Sequence, residues 1–176
     1  MPIRVRDKGK DFVPAPDGLQ RAVCCDVVEL GLVDGPFGKK RKVRIVWQSE
    51  HLMEDNKPFL LMKAYGATLH KKGNLRGDLE SWRGKPLSDK EADDFDLEVL
   101  LGKNCQVLVV QNTKDGQTYS NVNTVVPPVK GAFSLVVRDY TRKQNRPDWK
   151  EPDTGESTER ASGDEETQVD VDDVPF

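Results

Sequence analysis

Three runs that alternate apolar and polar residues come first in this chain of 176 residues, then a stretch whose apolar spacing is helical, then two more strand-like runs. That order predicts a mainly β (α+β) domain. The small fold it suits is the OB fold, a five-stranded Greek-key barrel that carries helices between its third and fourth strands. Charge marks the end of the domain: residues 150 to 176 hold ten acids and two bases, a balance of −8, which leaves +5 on residues 1 to 149. The division expected is an N-terminal arm (1–17), an OB-fold domain (18–140) and a disordered acidic tail (141–176). A split sheet packed on helices would share the element order and stands as the alternative.

The arm mixes charge with Pro2, Pro14 and Pro16. Gly18 opens the first strand, Leu19 to Val33, whose apolar residues Ala22, Cys24, Val27, Leu30 and Leu32 change phase midway. A change of phase in so long a strand predicts a bend or bulge. Asp34-Gly35-Pro36-Phe37-Gly38 is a turn by composition. In the second strand Val43, Ile45 and Trp47 alternate with Lys42, Arg44, Val46 and Gln48, a clear period of two. A polar loop over 49–57 leads to a third strand from Pro58 to about Tyr65, completing a meander.

Leu75, Leu79 and Trp82 then take helical spacing, with Gly73 or Asn74 at the start and Gly84 and Pro86 at the end. Ser88-Asp89-Lys90-Glu91 is a capping box, and a short helix through Leu97, Leu100 and Leu101 stops at Gly102. Strand four covers Cys105 to Gln111. Asn112-Thr113-Lys114-Asp115-Gly116 carries the Asp-Gly hairpin signal, and strand five runs from Gln117 to about Val126. Phe133, Leu135, Val136 and Val137 form a last apolar run, suited to an added strand or a patch on the barrel. From about residue 141 the chain is too polar to offset its conformational entropy.

Composition excludes several classes. No apolar run is long enough to span a membrane, and the N-terminus lacks the apolar core of a signal peptide, so a cytoplasmic location is expected. Cys24, Cys25 and Cys105 form no Cys-x-x-Cys pair and sit in apolar runs, which points to reduced thiols and no zinc site. Phosphate-binding loops, His-Glu-x-x-His and Gly-x-Ser-x-Gly are absent. His51 beside Glu50 and Glu54 reads as a polar loop. No enzyme, cofactor or metal is expected.

The chain closes on Asp170-Val171-Asp172-Asp173-Val174-Pro175-Phe176. A closing Phe is poorly placed to serve a core and well placed to enter a partner's apolar pocket, with Asp170, Asp172 and Asp173 meeting a basic rim and Pro175 limiting the conformations to be frozen. This ending resembles the acidic tip of bacterial single-stranded-DNA-binding proteins (SSBs). The resemblance implies recruitment of replication, recombination and repair proteins through Asp170, Asp172, Asp173, Val174, Pro175 and Phe176.

In the body, Phe37-Gly38-Lys39-Lys40-x-Lys42-Val43-Arg44 and Asn74-Leu75-Arg76-x-Asp78-Leu79-Glu80-Ser81-Trp82-Arg83-Gly84 resemble a family of phage-encoded OB-fold proteins of replication or recombination modules, over about residues 18 to 130. That resemblance implies binding of single-stranded DNA without strong sequence preference, in the cytoplasm of a host.

Such binding needs cations for phosphates and flat rings for bases. The first loop supplies Phe37, Lys39, Lys40 and Arg41, and Arg44 lies opposite the core phase of Val43 and Ile45. On strand three, Phe59, Lys63 and Tyr65 share a side with Leu61 and read as a stacking platform, with Leu60, Met62 and Ala64 toward the core. Lys71, Lys72 and Arg76 extend the track; Lys114 and Tyr119 are weaker candidates. Core positions for Phe59 and Tyr65, and edge protection for the lysines, are the competing readings. Trp47 and Trp82 follow the core phase; Trp149 is either exposed or a second partner contact. The tail is expected to fold back on the basic face when DNA is absent. A homo-oligomer is possible, and its order is left open.

Overall fold

The structure, a computed structural model, describes residues 13–155 and Phe176. It is mainly β. Strands β1 (Gly18–Gly35), β2 (Gly38–Leu52), β3 (Pro58–Gly66), β4 (Asn104–Lys114) and β5 (Gln117–Val126) form one antiparallel sheet in the order β3-β2-β1-β4-β5. Helices α1 (Asn74–Arg83) and α2 (Asp89–Asp93) and a 3-10 turn (Leu97–Leu100) fall between β3 and β4 in the chain. The outer strands approach each other: the Lys63 ammonium on β3 donates to the Asn123 carbonyl on β5 over 3.2 Å. This arrangement is consistent with a β-barrel of the OB type.

The phase change in β1 has a structural cause. Its pairing with β2 slips between Cys24 and Asp26 and again between Glu29 and Gly31. Before the first slip Ala22 and Cys24 enter the main core; after it Val27 does, while Cys25 and Val28 join a second apolar cluster with Val46. A bulge thus lets one strand bury residues on both faces. The β4–β5 hairpin turns at Asp115 and Gly116, both at positive φ (53° and 76°), a conformation open to Asp and Gly where a branched side chain would clash.

The main core joins Val43, Ile45 and Trp47 of β2 to Leu75, Leu79 and Trp82 of α1 and to Val107, Val109 and Val125 of the second hairpin. The Trp82 indole donates to the Asn104 carbonyl (2.9 Å), which ties α1 to β4. The capping box at α2 forms as the sequence suggests: Ser88 Oγ accepts from the Glu91 amide, and Glu91 accepts from the Ser88 amide. The leader also packs, since the Ala15 carbonyl accepts from Gln111 (2.9 Å) and Ser120 (2.8 Å).

After β5 the chain crosses the outer face of the sheet as a strap rather than an added strand. Asn104 brackets the backbone of Leu135, accepting its amide (2.7 Å) and donating to its carbonyl (3.0 Å). Gln48 does the same to Arg138, at 2.8 and 2.6 Å. Val137 and Tyr140 pack on the second cluster. Asp26, fully buried, accepts from the Tyr140 hydroxyl (2.9 Å), Arg142 (3.1 Å) and the Lys143 amide (2.8 Å). Arg142 also clasps Glu98 at 2.7 Å. The strap ends where the Leu32 amide donates to the Asp153 carbonyl (2.7 Å). A Cβ at Gly31 would lie 2.5 Å from that carbonyl, and the backbone there has φ +68°, so glycine alone fits. The chain expected to leave the domain at about residue 141 therefore stays against the sheet to Gly155. Its hold is polar and does not register in an apolar count. Residues 1–12 and 156–175, and the arm and tail readings placed there, lie outside the described residues.

Two stability predictions follow from these contacts. Asp26→Ala removes the acceptor of the Tyr140 hydroxyl and the Lys143 amide and one of the partners of Arg142, which keeps Glu98, and is expected to cost about 2–3 kcal/mol; unfolding in urea that shows a loss under about 1 kcal/mol would contradict this. Glu91 is held below the ordinary glutamate range by the Ser88 amide and then by Arg83. Its contribution is fully present above that ordinary range and fades as pH falls through the depressed value. Glu91→Gln should lower stability modestly in the neutral region, leave the acid end least changed and so flatten the acid limb of a stability–pH profile.

Candidate nucleic-acid interface

The hairpin between β1 and β2 places the first group of candidates in solvent. Phe37 is 88% exposed at its tip, with the Lys40 ammonium 5.9 Å from the ring centroid. Lys39 and Lys40 are exposed and sit across from Asp34 and Val33. Arg41 is turned to Glu29, with a guanidinium–carboxylate distance of 2.8 Å. Its carbonyl accepts from the Ala67 amide (2.9 Å), so the loop after β3 starts at the hairpin's base. That loop carries Lys71 and Lys72, both exposed, with Lys71 3.5 Å from Asp89. Arg44 lies half-buried between Val28 and Ala64.

Strand β3 is turned over relative to the sequence expectation. Phe59, Leu61 and Tyr65 face the core and are buried, while Leu60 (40%) and Met62 (48%) are exposed with Ala64 on the outer face. Both phases of this strand are apolar, so alternation alone does not choose between them. The cross-strand pairs do: Tyr65, Lys63 and Leu61 sit opposite Val43, Ile45 and Trp47, and directly opposed residues share a face. Lys63 tolerates the inner face because Asp78 on α1 meets it at 2.7 Å. The Tyr65 hydroxyl donates to the same carboxylate oxygen at 2.7 Å. Burial, then the neighbouring Asp78 charge, push the Tyr65 phenol far above its ordinary range, so it stays a proton donor.

Phe59, Lys63 and Tyr65 thus form no stacking platform. Arg76 is corrected too. It is buried and spans Glu80 (2.7 Å), the Leu87 carbonyl (2.7 Å) and the Leu69 carbonyl (3.3 Å), which fixes the loops on either side of α1. Trp47 and Trp82 are core residues with centroids 6.0 Å apart. Trp149 is half-buried in the strap.

What remains open is a strip, not a full face. The strap buries Val46 and Gln48, the outward residues in the middle of β2. Beside it lie Arg44, Leu60 and Met62, continuing to Phe37, Lys39, Lys40, Lys71 and Lys72. On the strap, Phe133 (92%) and Val136 (77%) are exposed, as is Arg138. Sequence reading missed Leu60 and Met62; the register of β3 against β2 was the signal that could have found them. The three thiols are buried, and burial pushes Cys25 up to about 12 and Cys24 and Cys105 above their ordinary value. Among the described residues no group of three or more His, Cys, Asp or Glu is placed to hold a metal. No helix there is long and apolar enough to cross a membrane.

Of the tip, Asp170, Asp172, Asp173, Val174 and Pro175 lie outside the described residues. Phe176 is described, and contrary to the expectation that a closing Phe is poorly placed to serve a core, its ring meets Trp82 edge-on at 5.0 Å. No known protein-family model matches the chain, and no curated protein sequence matches it.

Tyr65→Phe separates core from interface. It removes one hydrogen bond to Asp78 and should lower stability by about 1–1.5 kcal/mol, measured by urea unfolding, while leaving any affinity for single-stranded DNA unchanged. A large loss of affinity without loss of stability would return Tyr65 to the interface.

Proposed function

We propose that this protein binds single-stranded DNA without strong sequence preference, as a non-catalytic OB-barrel protein of (phage) replication or recombination, and recruits partner proteins through its acidic tip. The observation that carries the reading is the basic, aromatic-tipped β1–β2 hairpin. Phe37, Lys39 and Lys40 project there on a body of charge +5, next to Lys71 and Lys72. Cations that track phosphates beside an exposed ring are the minimum for sequence-tolerant single-strand binding. The strand order and the approach of β3 to β5 support a Greek-key barrel, in which this hairpin and the β2–β3 face take ligand. The cytoplasm, of a host if the chain is phage-encoded, is the location that goes with this role.

One observation favours a second reading, an OB-like protein-interaction module that does not bind DNA. The strap covers part of the face a nucleic acid would use, and Leu60, Met62, Phe133 and Val136 are exposed instead. Apolar surface of this kind, with Phe and Met among it, is the composition of a protein–protein contact.

Fluorescence anisotropy of labelled oligo-dT at two salt concentrations, beside duplex DNA of equal length, decides between them. The first reading expects binding to the single strand that weakens with salt. It also expects a loss of about tenfold or more at low salt for the double variant Lys39→Glu, Lys40→Glu, with the thermal midpoint unmoved because both side chains are exposed. Absence of binding at low salt, by the full chain and by the chain ending at residue 155, favours the interaction module.

A further inference from the structure

Phe176 extends a chain of aromatic rings that begins in the core. Trp47 lies 6.0 Å from Trp82, Trp82 lies 5.0 Å from Phe176 at an interplanar angle of 70°, and Phe95 flanks Phe176 from 6.4 Å at 76°. Edge-to-face contacts at these separations are the favoured aromatic arrangement. Trp82 is 1% exposed with Phe176 present, and Phe176 itself is half-buried and packed on the main core. The pocket is built from elements fixed for other reasons: Trp82 is anchored by its indole on Asn104, and Phe95 follows the capped α2. Neither belongs to the exposed basic strip around Phe37 and Arg44.

The chain length between the strap and this ring decides whose phenylalanine sits there. Gly155 packs on Leu32, and residues 156–175 separate it from Phe176. Twenty residues can reach about 65–70 Å when extended, more than the roughly 40 Å width of a domain of this size. Closure within one molecule is therefore unhindered. A tether of this length holds its end at an effective concentration on the order of millimolar, which a second copy at micromolar concentration does not match.

We propose that the Trp82–Phe95 pocket is a receptor site for the chain's own tip, residues 170–176, with Phe176 as the anchor. A partner that reads Phe176 must then compete with an internal site, and the tip is withheld until a partner or a conformational change releases it. The inference rests on the recruiting half of the function proposed above and is independent of DNA binding. It also differs from a fold-back driven by charge, because the occupant is a ring that packs on Trp82 and Phe95.

The probe is a labelled peptide of residues 170–176, titrated by anisotropy into the wild-type chain and into full-length Phe176→Ala, with no DNA present. The expected result is binding to Phe176→Ala about tenfold or more tighter than to wild type, since the variant's pocket is empty. A peptide with Ala in place of its Phe should bind neither. Tryptophan emission of Phe176→Ala should shift to the red and return when the peptide saturates. Phe176→Leu, which keeps apolar bulk, should fall between wild type and Phe176→Ala. Equal binding to both proteins, or none to either variant, overturns the proposal. A concentration-dependent dimer of the wild type that Phe176→Ala abolishes overturns it in favour of exchange between copies. Failure of the oligo-dT titration would leave this result standing, and the converse also holds.

Discussion

A carboxylate removed from water must be met by donors, and Asp26 has its donors almost wholly from one segment. Tyr140, Arg142 and the Lys143 amide converge on it, and its side chain is 1% exposed. The first slip in β1 puts it on the outer face beside Cys25, where an uncompensated charge would cost several kcal/mol. The strap must therefore dock for β1 to keep both faces dry. Through Arg142 the same hub reaches Glu98 in the turn before β4, so outer face, strap and the segment between β3 and β4 are fixed together.

Local chemistry was legible in the sequence where it was one-sided. The alternation of Val43, Ile45 and Trp47, the phase change midway along β1, the Asp115-Gly116 turn and the Ser88–Glu91 box each appear as read. Strand β3 was not legible because Phe59, Leu61 and Tyr65 compete with Leu60, Met62 and Ala64, and only pairing to β2 separates the two sets. The strap escaped for a different reason. It is held by side-chain amides and by one carboxylate, and apolar periodicity carries no trace of such contacts. Arg76 looked like a phosphate reader because nothing in its neighbourhood announces that it bridges two loops.

The candidate interface is smaller and differently composed than the sequence suggests. Its cations survive at the hairpin and the loop after β3, but its exposed rings reduce to Phe37 and the weaker candidate Tyr119 among the proposed residues. A surface of this make-up gains more from phosphate charge than from stacking, so its ligand preference would follow backbone geometry and ionic strength.

Gln48 and Asn104 give the strap what a neighbouring strand would give: each offers one acceptor and one donor to a single residue of backbone. A ladder bond is shared by two strands and breaks only with the sheet. These amides belong to side chains whose own backbone stays paired within the sheet. The strap is thus attached to a finished surface and forms a cooperative unit of its own, able to lift while all five strands remain. Hydrogen exchange at the Leu135 and Arg138 amides should then proceed through an opening cheaper than global unfolding, and each such opening bares Val46 and Gln48, widening the strip into a full face.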